Sequence, residues 1–316
     1  MQALASARLA RDWPAVRFHP GDLDWWAVQA HGRAPGMTER VRLWFTADGP
    51  GAAGAKANAP DATLADDPEP IAFGWFGPPG ELDFLIAPDD PTTVEPLVAE
   101  LVAWADERRH AFAEGNVTPL RAWVGVSDPV TWAAIRSQGL AMESGHEFVA
   151  FTGAMAVADR WPALALPPGL SIRPLGSDAD IAARVACGRA AFPSSTMTVE
   201  RYRKALDAWL YRPGLDLLAV AEDGRVVGFA LGWLDLRTRV VELEPVGVHP
   251  DWHRRGVGRE ICRATLRVAR TMGAERVVIA AERTNPGAMA LYRGLGLAVT
   301  NEIVPFARRL TEPDRA

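Results

Sequence analysis

Two carboxylates, Glu242 and Glu244, stand two residues apart in the run Val240–Val248, where apolar and β-branched residues alternate with them. That alternation predicts a strand with both carboxylates on one face. Such a pair can remove a proton near neutral pH if burial or the neighbouring charge raises its proton affinity. Pro250 ends the strand. The loop behind it carries Arg254, Arg255, Gly256 and Gly258, and then Ile261, Leu266, Val268 and Ala269 recur at helical spacing. A glycine loop opening a helix presents backbone N–H groups at the positive end of the helix dipole, which suits a diphosphate. Arg254, Arg255 and Arg259 add positive charge.

The run resembles the acyl-CoA-binding segment of the GNAT superfamily of N-acetyltransferases. That family's pattern is a strand ending V-x-P followed by R/Q-x-x-G-x-G/A. Here Val248, His249 and Pro250 supply the strand end, and His253, Arg254, Arg255, Gly256, Val257 and Gly258 the loop. His253 departs from the pattern, since it can donate one hydrogen bond but is not always charged.

The resemblance implies roles for individual residues. Val246, Gly247 and Val248 would bond the pantetheine arm of acetyl-CoA through their backbone, with the Val248 N–H toward the thioester carbonyl. Residues 253–259 would hold the diphosphate, and Asn285, opening the pattern N-x-x-A-x-x-L-Y, would contact the pantetheine. Tyr292 closes that pattern, where many members place the general acid for the departing thiolate. A phenol of ordinary pKa about 10 can protonate a thiolate of ordinary pKa about 8.5 at modest cost. Glu242, six residues before Val248, occupies the place of the catalytic glutamate in mycothiol synthases and is the first choice for general base, with Glu244 as the alternative. The implied reaction is acetyl transfer to a primary amine of a small polar substrate by direct attack. A sensor that holds acyl-CoA without turnover is a second reading, as is an acyltransferase acting on a protein or peptide amine or using a longer acyl group.

The elements that must position these residues follow from periodicity. Strands are predicted at 40–46, 71–76, 81–87, 120–126 and 148–151, with helices around 23–28, over the apolar stripe from Val94 to Ala105 and at 129–137. After a Pro-rich stretch at 154–168, a second series begins. It has a strand at 170–173, helices at 178–191 and 198–211, strands at 216–222 and 225–234, the Glu242 strand and its helix, a strand at 276–281, a helix from Pro286, and a strand pair across 298–310. This is an α/β order with a mixed sheet.

The two series overlay. Residues 127–140 match 284–297 at a constant offset, and Ile86, Ala87 and Pro88 fall opposite Val248, His249 and Pro250. Behind Pro88 the chain runs Asp89, Asp90, Pro91, with two acids and no glycine, a loop that would repel a diphosphate. Ile135 stands opposite Tyr292, and Asp128 opposite Asn285. The reading is two tandem GNAT-like domains, each a mixed, mostly antiparallel sheet flanked by helices, in a layout like that of mycothiol synthase-like members. Residues 1–153 form a degenerate first copy with a mobile insert at about 48–70, 154–168 a linker, and 169–316 the catalytic copy.

Composition bounds the rest. At 316 residues, 48% hydrophobic and 23% charged, the chain has the make-up of a globular protein with room for two cores. A net charge of −5 without a basic block argues against nucleic acid. No apolar run approaches the ~20 residues that cross a bilayer, and the N-terminus lacks a signal-peptide core, so a cytoplasmic location is expected. Cys187 and Cys262 read as buried apolar residues, and the six histidines show no ligand spacing, so no metal is expected. Most of the 12 tryptophans should be core. The identity of the amine and the oligomeric state are not written in the sequence.

Overall fold

A computed structural model of the chain describes residues 1–45, 69–113 and 117–308. In chain order the first elements are α1 (Gln2–Asp12), α2 (Pro20–Ala30), α3 (Met37–Arg40), β1 (Val41–Trp44), β2 (Ala72–Gly77), β3 (Glu81–Ile86), α4 (Pro91–Ala111), β4 (Arg121–Gly125), α5 (Pro129–Ser137), β5 (Ala141–Met142) and β6 (Phe148–Ala154). There follow β7 (Leu170–Pro174), α6 (Asp178–Ala191), α7 (Val199–Arg203), β8 (Asp216–Ala221), β9 (Val226–Asp235), β10 (Val240–Val248), α8 (Val257–Thr271), β11 (Arg276–Glu282), α9 (Pro286–Gly294) and β12 (Ala298–Ala307). The chain is α/β, with two tandem GNAT-like copies.

The copies are not contiguous in sequence. One compact unit comprises the described residues of Met1–Arg8, Pro35–His146 and Ile303–Ala316, and the other Leu9–Ala34 and Glu147–Glu302. The division expected from the sequence, at 153 and 169, is therefore corrected at three places. Strand β6 belongs to the second unit, because it pairs along its whole length with β11, from Phe148↔Glu282 to Ala154↔Arg276. The end of β12 belongs to the first, where Ile303–Ala307 pairs with Arg121–Gly125 of β4. Residues 9–34, expected in the first copy, pack in the second.

In the first unit β1, β2, β3, β4 and the end of β12 lie side by side, parallel only between β3 and β4. Helix α4 covers them with Val94, Leu97, Val98, Leu101 and Val102 against Phe76, Leu82, Phe84 and Phe306. In the second unit the order is β7, β8, β9, β10, β11, β6, parallel only between β10 and β11. Helix α8 packs Cys262, Leu266 and Ala269 against Val241, Leu243, Val277 and Ile279.

Three local expectations differ from the structure. Residues 2–12, where the sequence predicts no helix or strand, form α1. The helix expected at 198–211 stops after Arg203 and passes into a short 3-10 turn, Lys204–Asp207. The Leu210 N–H bonds the buried Asp24 carboxylate at 2.8 Å instead of continuing the helix, so a tertiary partner overrides helical periodicity. The strand pair expected at 298–310 is the single strand β12. The insert expected at about 48–70 lies almost wholly outside the described residues. No helix among the described residues is long and apolar enough to cross a membrane.

Candidate active site

Strand β10 leaves its neighbour partway along. Its parallel pairing with β11 runs from Val240↔Arg276 to Glu242↔Val278 and stops. On its other side β10 stays paired with β9 as far as Val248↔Gly228, with one extra residue accommodated between Leu243 and Val246. That bulge, at Glu244 and Pro245, bends β10 away from β11. Residues Val246, Gly247 and Val248 thus turn an edge toward the gap between diverging strands. Gly247 is required where it stands, because a Cβ there would lie 2.3 Å from the Phe229 ring.

The gap leads to the N-terminus of α8. Gly256 occupies the cap position at φ +83°, where a side chain would be strained, and no side chain caps the helix. The first-turn N–H groups of Val257, Gly258 and Arg259 therefore point outward without a side-chain acceptor. Arg254 and Arg255 are exposed beside them. Gly258 sits against the side chains of Val248 and Leu291. Two expected contributors are engaged otherwise: His253 Nε2 lies 3.0 Å from the Val248 carbonyl, and Arg259 donates to Glu260 at 2.8 Å. Asn285 caps α9, its Oδ1 accepting the Ala288 N–H at 3.0 Å. An uncapped helix end with glycine in the left-handed region, facing a strand gap, fits an acyl-CoA diphosphate and its arm.

The corresponding place in the first unit is filled by protein. Asp90 caps α4, accepting the Thr93 N–H at 2.9 Å. The Arg8 guanidinium donates to the Ile86 carbonyl at 2.7 Å and to Asp89 at 3.1 Å, and lies 3.9 Å from Asp128. These are the counterparts of the strand end, the loop and Asn285, so a carboxylate and a guanidinium occupy the ground of diphosphate and arm.

Glu242 and Glu244 differ in surroundings. Glu244 lines a cavity of about 340 Å³, together with Trp25, Gln29 and Arg33 from residues 9–34, Arg184, Gly188 and Phe192 from α6 and its end, and Phe229. Burial raises its pKa to about 8, the Glu242 charge adds to the rise, and Arg184 and Trp25 oppose it. Glu242 does not line the cavity and is 4% exposed. Burial raises its pKa to about 8 as well. Its Oε2 lies 3.2 Å from His19 Nδ1.

Tyr292 is 6% exposed and meets Phe151 edge to face with centroids 5.5 Å apart. Burial raises its pKa well above 10, with further contributions from Cys262 and Glu244. Its hydroxyl has no hydrogen-bond partner among the described residues. Both cysteines are buried and free. Among the described residues no group of three or more His, Cys, Asp and Glu could hold a metal ion.

Sequence reasoning missed Arg184, Trp25, Arg33 and His19. Arg184 left a trace, since it lies on the buried stripe of α6 formed by Ile181, Arg184, Val185 and Gly188 at helical spacing. A charged residue on an apolar stripe is the anomaly to flag. The other three come from residues 9–34, which nothing local connects to β10.

Comparison with known proteins agrees with the geometry. Residues 186–297 match the acetyltransferase (GNAT) family. The chain is 29% identical over 232 residues to mycothiol acetyltransferase of Saccharomonospora viridis, covering 67% of this chain and 74% of that protein. It is 27% identical over 245 residues to mycothiol acetyltransferase of Pseudarthrobacter chlorophenolicus, covering 67% and 75%. Among solved structures, a GCN5-related N-acetyltransferase from Sphaerobacter thermophilus superposes with TM-score 0.64 at 20% identity, over 97% of this chain and 90% of that one. A tandem GNAT protein from the clavulanic acid biosynthesis pathway gives TM-score 0.63 at 16% identity, over 98% and 95%. The strand gap, the glycine-capped helix and the repeated fold thus stand on a chain that is similar to the GNAT family of acetyltransferases over residues 186–297 and to tandem GNAT proteins in fold.

Proposed function

We propose that the second unit carries acetyl transfer to the primary amine of a small polar substrate, by direct attack and without an acyl-enzyme. The observation that carries this reading is that one strand, β10, bears both halves of the site. Its end faces the uncapped N-terminus of α8, and its bulge places Glu244 in the lining of a cavity. A cavity of about 340 Å³ suits a small molecule better than a folded protein surface. The mycothiol acetyltransferase relatives support an amine acceptor of that size, in the manner of an aminosugar conjugate.

When bound, acetyl-CoA supplies the acetyl group as an activated thioester. Residues 254–259 would hold its diphosphate, and Val246 to Val248 its arm through backbone groups. Glu244 takes the proton from the substrate ammonium, since it is the carboxyl that lines the cavity, and its raised proton affinity suits a base near neutral pH. Glu242 stands behind it and raises that affinity further. Tyr292 holds a phenolic proton for the leaving sulfur, with no acceptor among the described residues competing for it.

Calorimetry with acetyl-CoA, beside a thiol-release assay over a panel of small amines, tests the reading. Binding and amine-dependent thiol release are expected. Binding with no release for any amine would replace the enzyme with an acyl-CoA sensor.

A further inference from the structure

Arg184 is 2% exposed, and its guanidinium lies between two aromatic rings, 3.9 Å from the Phe229 centroid and 4.2 Å from that of Tyr202. It makes no hydrogen bond and no ion pair among the described residues, and its buried Nε and Nη2 are unpartnered. A buried guanidinium without an acceptor is costly, and such a group needs an explanation. The nearest candidate inside the protein, Asp216, spends one carboxylate oxygen on the hydroxyls of Tyr202 at 2.7 Å and Tyr211 at 3.2 Å, and leaves the other unpaired. Arg184 acts on it only at a distance.

The cavity supplies the rest. Its charged lining consists of Arg33, Arg184 and Arg201 against Glu244 alone, in a chain whose net charge is −5. Burial lowers the pKa of Arg33, and the like charge of Arg201 lowers it further. Gly188, also in the lining, keeps one approach to Arg184 clear, for a Cβ there would stand 3.4 Å from Nη1. Three cations, one of them orphaned, and one carboxyl in a small cavity describe a receptor for a molecule carrying both charges.

Resting on the transferase reading above, we propose that the acceptor is an amine bearing a carboxylate or a phosphate, with that anion seated on Arg184 inside the rim of Arg33 and Arg201 and its ammonium toward Glu244. A stacked guanidinium presents its edge to such an anion and binds it more strongly than a neutral group.

The test uses the full chain, saturating acetyl-CoA and matched amine pairs: glycine with glycinamide, L-cysteine with L-cysteinamide, and O-phosphoethanolamine with ethanolamine. In at least one pair the anionic member should have kcat/KM higher by about tenfold or more, the range for a hydrogen bond to a charged group. The amino-acid and phosphoethanolamine arms tell carboxylate from phosphate. Arg184→Met should collapse that ratio toward one, whereas a purely structural role would lower both members alike. If the variant fails to fold, the wild-type ratios decide alone. Neutral members matching or exceeding their partners in every pair would overturn the proposal and leave acetyl transfer standing. Thiol release from no amine of either kind would overturn both.

Discussion

His19 and Glu242, far apart in the chain, face each other in the buried floor of the second unit with Nδ1 and Oε2 3.2 Å apart. The imidazole has no proton to give at that nitrogen. Nδ1 accepts the Gly21 N–H at 3.0 Å, and Nε2, 3.3 Å from the Val240 carbonyl, must carry the ring proton. An ionised Glu242 would set its charge against a lone pair. The unpartnered Oε2 is therefore assigned the proton, as the raised pKa of Glu242 and the lowered pKa of His19 require. Asp22, whose pKa is raised by burial and further by Glu242, belongs to the same buried acid cluster.

That cluster makes stability fall with rising pH. For Glu242 the folded value, about 8, lies above the ordinary 4.5. Between these values the unfolded chain has released a proton that the folded chain still holds, so stability declines across that window. Glu242→Gln keeps the shape and removes the proton. Urea unfolding at about pH 5 and about pH 8.5 should show the variant gaining on wild type as pH rises. An equal difference at both values would contradict the protonated assignment.

Catalysis should follow the same pair. With Glu244 as base, kcat rises with pH toward a plateau set by an apparent pKa near 8. Glu244→Gln should lower kcat by about 10²- to 10⁴-fold and remove that limb. Glu242→Gln removes the charge that Glu242 would gain as it ionises near pH 8 and that raises the Glu244 pKa, so it should keep measurable activity and move the limb to lower pH. If Glu242→Gln were instead the inactive variant, the base would be Glu242.

The sequence disclosed this strand, both carboxylates, the glycine loop and the repeat because each is written in local spacing. Periodicity of two placed Glu242 and Glu244 on one face, and φ-permissive Gly256 fell at the end of a helical pattern. It could not rank the carboxyls, because that depends on a one-residue bulge after Leu243 and on Trp25, which arrives from α2. Nor could it divide the units, because Phe148–Ala154 and Ile303–Ala307 read as ordinary strands whose partners are set only in three dimensions. His19 carries no local signal at all. Its partners are a turn two residues on and a strand more than two hundred residues away.

Tyr292 gives a clean separation of chemistry from packing. Its ring contacts Phe151, and its hydroxyl has no hydrogen-bond partner among the described residues. Tyr292→Phe should thus leave unfolding free energy within about 0.5 kcal/mol of wild type while lowering kcat by about 10²-fold. Unchanged kcat would remove the general-acid role, with urea unfolding as the control.

The first unit should bind no acetyl-CoA, for a reason visible at two helix ends. Helix α8 begins at Gly256 with no capping side chain, so its first-turn N–H groups await an external acceptor. Helix α4 begins at Asp90, whose carboxylate accepts from the Thr92 hydroxyl and from the Thr93 N–H, and these bonds hold its pKa below the usual range. Arg8 meanwhile occupies the Ile86 carbonyl at the strand end. Calorimetry should therefore give one acetyl-CoA per chain. Gly256→Ala, forced into the left-handed region, should weaken that site while costing about 1–2 kcal/mol of stability. Asp90→Ala should cost about 1 kcal/mol as a lost cap, yet leave the stoichiometry at one, because Arg8 still fills the strand end. Two sites in the wild-type chain would show that this internal plug is displaced by the ligand.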